Sequence, residues 1–200
     1  MAEIGKDDMD WDLFWEEPSD IDEMEEGAHR MALRLMAFMN VHSKTTVADY
    51  GCGPALTLFH LAKKLPSVSF VGFDTSIGIV EVNRHRAEQL GLRNLKFKQD
   101  TLPALSTTDS FELVVCIATL HYLRDIRSAI LALYERVSPN GHLIFNYPNR
   151  YTQYAYKKWA MDGDPKRSDR FKLVIQGANL MTKKEIESIG CETKIILENR

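Results

Sequence analysis

The sequence is poor in cysteine: Cys52, Cys116 and Cys191 are the only three in 200 residues, far apart and without a C-x-x-C pair. Neither a zinc cluster nor a disulfide framework is expected, no metal site is assigned, and a reducing cytoplasm is the compartment that fits. No apolar run reaches membrane-spanning length, and no charged segment leads into an apolar one at the start, so neither insertion nor export is expected. Internal repeats and low-complexity linkers are also missing. What remains is 44% hydrophobic content, enough for one domain to bury a continuous core without staples.

Basic residues are scarce at the front. Residues 1–30 hold 12 Asp or Glu against Lys6 and Arg30, which leaves 23 basic and 16 acidic residues in the remainder of the 25 and 28. Such an acidic block reads either as a solvated leader or as an arm that folds over a mildly basic body. Trp11, Phe14 and Trp15 make residues 1–20 too aromatic for a purely solvating tail, so an arm that docks is expected. Residues 21–200 are then the domain proper.

From Ile21 to about Asn40, Met24, Ala28, Met31, Leu35 and Phe38 recur at three- and four-residue spacing, which predicts an amphipathic helix. Beyond it, runs such as "TVADY", "VSFVGFD", "LKFKQD", "FELVVCIA" and "HLIFNYP" alternate with helical patterns. Strands that alternate with helices and are apolar on both faces predict a doubly wound, mostly parallel sheet with helices on both sides. Gly91 and "SPNG" at 138–141 supply helix stops and turns. Residues 150–180 break the pattern with Tyr151, Tyr154, Tyr156 and Trp159 before "MDGDPKRSDR", an insertion that either covers a substrate or forms a surface excursion. "MTKKEIESIG" then predicts a helix with Thr182 as N-cap and Glu185 three residues on, leading into "CETKIILEN" as a last strand.

Ligands of open parallel sheets bind beyond the carboxyl ends of the strands, and three acids stand at such ends. Asp49 closes the first strand, Asp74 the second and Asp100 the third. Asp74 is placed to accept ribose hydroxyls, which fits NAD or an adenosyl ligand equally. The dinucleotide fingerprint would set a third glycine at position 56, and that residue is Leu56. A pyrophosphate on the next helix would also be repelled by Asp49. A ligand with a sulfonium and an ammonium would instead gain from Asp49, while Asp100 could accept from an adenine amino group. S-adenosylmethionine is the ligand these acids favour.

The blocks "DYGCGPA" at 49–55, "GFDTS" at 72–76, "KQDTLPAL" at 98–105, "FELVVCIATLHYLRD" at 111–125 and "SPNGHLIF" at 138–145, in this order, resemble the class I S-adenosylmethionine-dependent methyltransferases. The resemblance covers residues 45–149 and departs at Ala55, where the family often has a third glycine. It implies a Rossmann-like, seven-stranded type of sheet. It also implies that Gly51 and Gly53 admit the methionine part of the cofactor and that Asp74 holds the ribose. Asp100 would meet the adenine amino group, Leu102 the ring edge, Ile79 the adenine face, and the backbone of Ile117 and Ala118 the ammonium. For Ile79 and Leu102, plain core packing is the other reading.

Methyl transfer is an in-line displacement whose first requirement is positioning. If a base is needed, His121, just past the fourth strand, is the leading choice, with Tyr122 behind it; capping or packing is the alternative for the histidine. His29, His60 and His142 are expected to have no chemical role. "NYPN" at 146–149 is similar to a motif of amino-group methyltransferases but stands after the fifth strand rather than the fourth, which disfavours DNA adenine methylation. The acceptor is expected to be a small molecule, with RNA or protein as an alternative and a non-catalytic cofactor-binding scaffold as a third reading. No membrane partner is expected. At the chain's end, "FKLVIQG" at 171–177 is expected to supply a strand for the terminal hairpin; otherwise the sheet keeps an open edge on which a homodimer could form in place of a monomer.

Overall fold

The computed structural model describes residues 9–16, 21–161, 169–189 and 195–196. Five parallel strands form the frame: β1 (Thr46–Tyr50), β2 (Ser69–Asp74), β3 (Leu95–Gln99), β4 (Phe111–Cys116) and β5 (Val137–Phe145). A two-residue β6 (Ile195–Ile196) joins β5, also in parallel. The order is β3-β2-β1-β4-β5-β6, so the chain winds outward from β1 to β3 and then returns to the other side of β1. The crevice between β1 and β4 is therefore the switch point at which such sheets bind ligands.

Both faces of the sheet are covered because the strands are apolar at successive positions. Val47, Phe70, Leu113 and Val115 point into one core, shared with α2 (Ile21–His42), α3 (Leu56–Lys64) and α4 (Ile77–Gln89) through Leu35, Phe59 and Val80. Ala48, Phe73, Val114 and Cys116 point into the other, shared with α5 (Ile126–Tyr134) through Ile126, Ile130 and Leu133. Burial at both parities of a strand is what a sheet wrapped on two sides demands.

The expected helix at 21–40 is α2, and it runs two residues further than the periodicity suggested. The "SPNG" segment is not a turn between elements: it lies inside β5, where the register with β4 slips between Phe111 and Leu113 and Asn140 takes a φ of 61°. The slip absorbs the turn-forming residues without reversing the chain.

The expected strand at 171–177 is a helix. After α1 (Trp11–Glu16) and the helices already described come α6 (Arg150–Met161), α7 (Lys172–Gln176) and α8 (Lys183–Ile189). Leu173 and Val174 are adjacent yet both buried, which a strand edge packed on one side could not achieve. Gly177, at φ 77°, ends α7 as its N–H donates to the carbonyl of Val174 while Ala178 N–H donates to that of Leu173. Among the described residues the sheet has six strands and no antiparallel hairpin, so seven are not reached; most of "CETKIILEN" lies outside them. The capping of α8 is as expected, with Glu185 N–H donating to Thr182 Oγ1 and Thr182 N–H to Glu185 Oε2.

Candidate active site

A cavity of about 430 Å³ opens over the carboxyl ends of β1, β2 and β4, within the roughly 300–1,000 Å³ usual for small-molecule sites. Asp49, Gly51, Gly53, Asp74, Asp100, Leu102, Ile117, Ala118 and Tyr122 line it, as do several residues of α1 and α2. Ile79 and His121 do not.

The turn after β1 is shaped by its two glycines. Gly51 and Gly53 have φ of 73° and 49°, conformations that an L side chain adopts only at a cost. A Cβ on Gly51 would collide with the Thr119 side chain, and one on Gly53 would sit 2.8 Å from the Trp15 ring. The turn is pinned by Gly51 N–H and Cys52 N–H, which both donate to the carbonyl of Phe73 at 2.8 and 3.0 Å. Asn83 of α4 adds a bond from its Nδ2 to Gly53 O at 2.7 Å.

The three acids occupy distinct environments. Asp74 is 6% exposed and accepts from Gly53 N–H at 2.8 Å on one oxygen and from Ser76 N–H at 3.0 Å on the other. Burial raises its pKa, and those backbone bonds oppose the rise. Asp100 is committed to its own loop: it accepts from the N–H groups of Thr101, Ser106 and Thr107 and from the Ser106 hydroxyl. It lines the cavity, but its first task is to tie residues 101–107 down. Asp49 has no hydrogen-bond partner among the described residues, and burial, aided by the charge of Asp74, pushes its pKa up to about 7. An unpaired, half-buried carboxylate facing a cavity is unfavourable in its charged form unless something cationic comes to it, and otherwise tends to take up a proton.

Residues after β4 turn sharply. Ala118 has φ 59° and its N–H donates to Asn146 Oδ1 at 2.7 Å. Leu120–Tyr122 form a short 3₁₀ turn. That turn sends Tyr122 to the cavity and buries His121 elsewhere, beside the Tyr156 ring at 6.0 Å. Burial alone lowers the histidine's pKa to about 4, so the ring stays neutral. The carbonyls of His121 and Leu123 are bridged by Asn179 Nδ2 at 2.9 Å each. Ile79 is 6% exposed in the first turn of α4, where its N–H donates to Ser76 Oγ; its location is that of a core residue.

The aromatic arm docks where the cavity opens. In α1, Asp12 accepts from the Ser76 hydroxyl and from Gly78 N–H, so it caps α4 from a distant part of the chain. Trp11 meets the Tyr122 ring edge-on at 4.8 Å, and the Arg170 guanidinium lies over Phe14 at 4.6 Å. Trp11, Phe14 and Trp15 thereby form a lid against the glycine turn, α4 and the insertion. The aromatic content of the arm had signalled docking; the contribution of Asp12, Thr119 and Arg170 carried no sequence signal, because their partners lie 48 to 69 residues away.

A family model described as a methyltransferase domain matches residues 41–189. The chain belongs to that methyltransferase family. Among curated relatives of this methyltransferase domain, the ubiquinone biosynthesis O-methyltransferase of Rickettsia akari is 29% identical over 128 residues, which is 62% of this chain and 48% of that protein. The trans-aconitate 2-methyltransferase of Deinococcus radiodurans is 28% identical over 123 residues, 62% of this chain and 45% of that one. The chain thus spans about half the length of the curated relatives it matches. In fold it is similar to magnesium protoporphyrin IX methyltransferase from Synechocystis, solved with bound SAH, at a TM-score of 0.61 and 17% identity over 92% of this chain and 77% of that one. The YcgJ protein of Bacillus subtilis gives 0.60 at 20% identity, over 80% of this chain and 66% of that one.

Proposed function

We propose that the cavity binds S-adenosylmethionine and that the chain is an enzyme transferring its methyl group to a small molecule. The observation that carries the reading is Asp49, a half-buried carboxylate with no partner among the described residues beside an open glycine turn. When bound, the cofactor supplies an electrophilic methyl group on a cationic sulfur. Asp49 complements the positive charges of such a ligand, and Gly51 and Gly53 let the backbone come close to it. Asp74 keeps acceptor capacity beyond its two backbone bonds for ribose hydroxyls, while Asp100 and Leu102 flank the adenine and the backbone at Ile117 and Ala118 meets the ammonium. Ile79 supports the adenine pocket from within the core rather than from its wall.

The chain's contribution to the reaction is positioning and exclusion of water, which together can supply about 7–11 kcal/mol of a displacement barrier. The aromatic side chains of α1 close the cavity and fit an acceptor of small size; RNA or a protein would have to displace them. No base is assigned to His121, whose ring stays outside the cavity. The relatives named for ubiquinone biosynthesis and for trans-aconitate support a small acceptor, and the three scattered cysteines support a cytoplasmic location. The test is formation of S-adenosylhomocysteine when the protein is given S-adenosylmethionine and a panel of small metabolites, with RNA and protein panels beside it. Turnover with a small molecule supports the reading, and cofactor binding with no turnover on any panel points to the scaffold instead.

A further inference from the structure

The helix after β5, α6, packs by one face only. Gln153 Nε2 donates to the carbonyl of Ile175 in α7 at 3.2 Å, the Tyr156 ring lies 4.3 Å from that of Phe171, and Trp159 stacks on Tyr156 at 5.0 Å. The other face is bare. Of the four most exposed large hydrophobic side chains among the described residues, three belong to α6: Tyr151 at 88%, Met161 at 87% and Tyr154 at 74%.

Helical spacing groups these three with cations. Tyr151, Tyr154, Lys158 and Met161 follow one another at steps of three and four residues, and Arg150 and Lys157 stand on the row beside them. The helix contains no acid, and Arg150, Lys157 and Lys158 are exposed with no ion pair among the described residues. Residues 162–170 hold three acids and three bases, so the sequence that follows does not offset the charge.

The chemistry of this face narrows its occupant. A second copy docked face to face would oppose cation to cation, which disfavours a dimer here. Single-stranded nucleic acid is held in a basic groove, whereas this is the convex side of one helix, and none of its residues lines the cavity. A broad anionic surface meets all six side chains at once. Tyrosines place an apolar ring below and a hydroxyl at the level of lipid headgroups, and cations beside them gain from the negative surface potential. No described helix is long and apolar enough to cross a membrane, but a helix lying on the surface needs no such length.

We propose that the outer face of α6 is a docking surface for a membrane containing anionic phospholipid. Tyr151, Tyr154 and Met161 supply the apolar contact, and Arg150, Lys157 and Lys158 the charge. The inner face joins this surface to the site, since Tyr156 packs on Phe171 and Phe171 stacks on Tyr122 of the cavity wall at 5.6 Å. The proposal does not rest on the methyltransferase reading and stands or falls without it.

The test is co-sedimentation of the full chain with vesicles of phosphatidylcholine alone and of phosphatidylcholine with about one-third phosphatidylserine. Binding is expected to the mixed vesicles and not to the neutral ones, and is expected to be lost at high salt. Each Lys or Arg near such a surface is worth about fivefold in partition, so Lys157→Gln with Lys158→Gln should weaken binding about 25-fold. Tyr151→Ser with Tyr154→Ser should weaken it several-fold at unchanged charge. All four side chains are exposed, so urea unfolding of both variants should match the unaltered protein. Failure to bind the mixed vesicles, equal binding to neutral vesicles, or variants that bind as tightly as the unaltered protein overturns the proposal. So does binding of oligouridylate in place of vesicles, which would assign the face to nucleic acid.

Discussion

Asp49 and Asp74 end adjacent strands, and the charge of Asp74 adds to burial in holding the Asp49 carboxyl at about 7. A cationic ligand reverses the balance by favouring the ionised form, so its binding should expel a proton wherever Asp49 is still protonated. At pH 6, titration of S-adenosylhomocysteine or S-adenosylmethionine in buffers of different ionisation enthalpy should show proton release, and affinity should fall as pH drops below about 7. Asp49→Asn should abolish the release.

The same carboxyl acts on stability with a definite sign. Its folded pKa lies above the ordinary 3.8, so between about pH 4 and 7 the native state holds more protons than the unfolded chain. Stability from this group is therefore present at low pH and is lost as pH rises to about 7, with a slope of up to ~1.4 kcal/mol per pH unit. Urea unfolding across this range should show a shallower fall for Asp49→Asn than for the unaltered protein.

Gly51→Ala should destabilise the fold by about 2–4 kcal/mol. A left-handed φ of 73° costs an L residue roughly 1–2 kcal/mol, and the collision with Thr119 adds a cost of similar size. Combining Gly51→Ala with Thr119→Ala removes the contacts with Thr119 Oγ1 and Cγ2 but leaves its Cβ 2.8 Å from the new methyl and the φ penalty in place, so the double variant should recover only part of the loss in chemical denaturation.

Asp12→Ala removes the acceptor of both Ser76 Oγ and Gly78 N–H while leaving the sheet untouched. Amides of 11–16 should exchange faster, with those of β1 and β2 unchanged, and bound S-adenosylhomocysteine should dissociate several-fold faster. Only a small loss of stability is expected, because Ser76 Oγ still accepts from Ile79 N–H and keeps α4 capped.

Much of the architecture was legible because it rests on local chemistry. β1, β2 and β3 are short runs that each lead into an acid, and Asp49, Asp74 and Asp100 could be placed at strand ends for that reason. "FKLVIQG" misled because β-branched composition does not define a period; tertiary burial of the adjacent Leu173 and Val174, and the glycine after them, chose a helix. The histidine of "ATLHYLRD" and its tyrosine neighbour could not be told apart by sequence, since the 3₁₀ turn alone decides which faces the cavity. Asp12 and Arg170 depend on contacts made across 64 and 48 residues. No local pattern announces such pairs.

The most direct measurement of the central claim is calorimetric titration of S-adenosylhomocysteine into the unaltered protein and Asp74→Ala. One site per chain is expected, with a loss of about tenfold or more in affinity in the variant, the size expected for hydrogen bonds to a charged group. Parallel denaturation should show that the variant remains folded. Absence of binding to the unaltered protein, or equal affinity in a folded Asp74→Ala, would contradict the assignment of this cavity as the cofactor site.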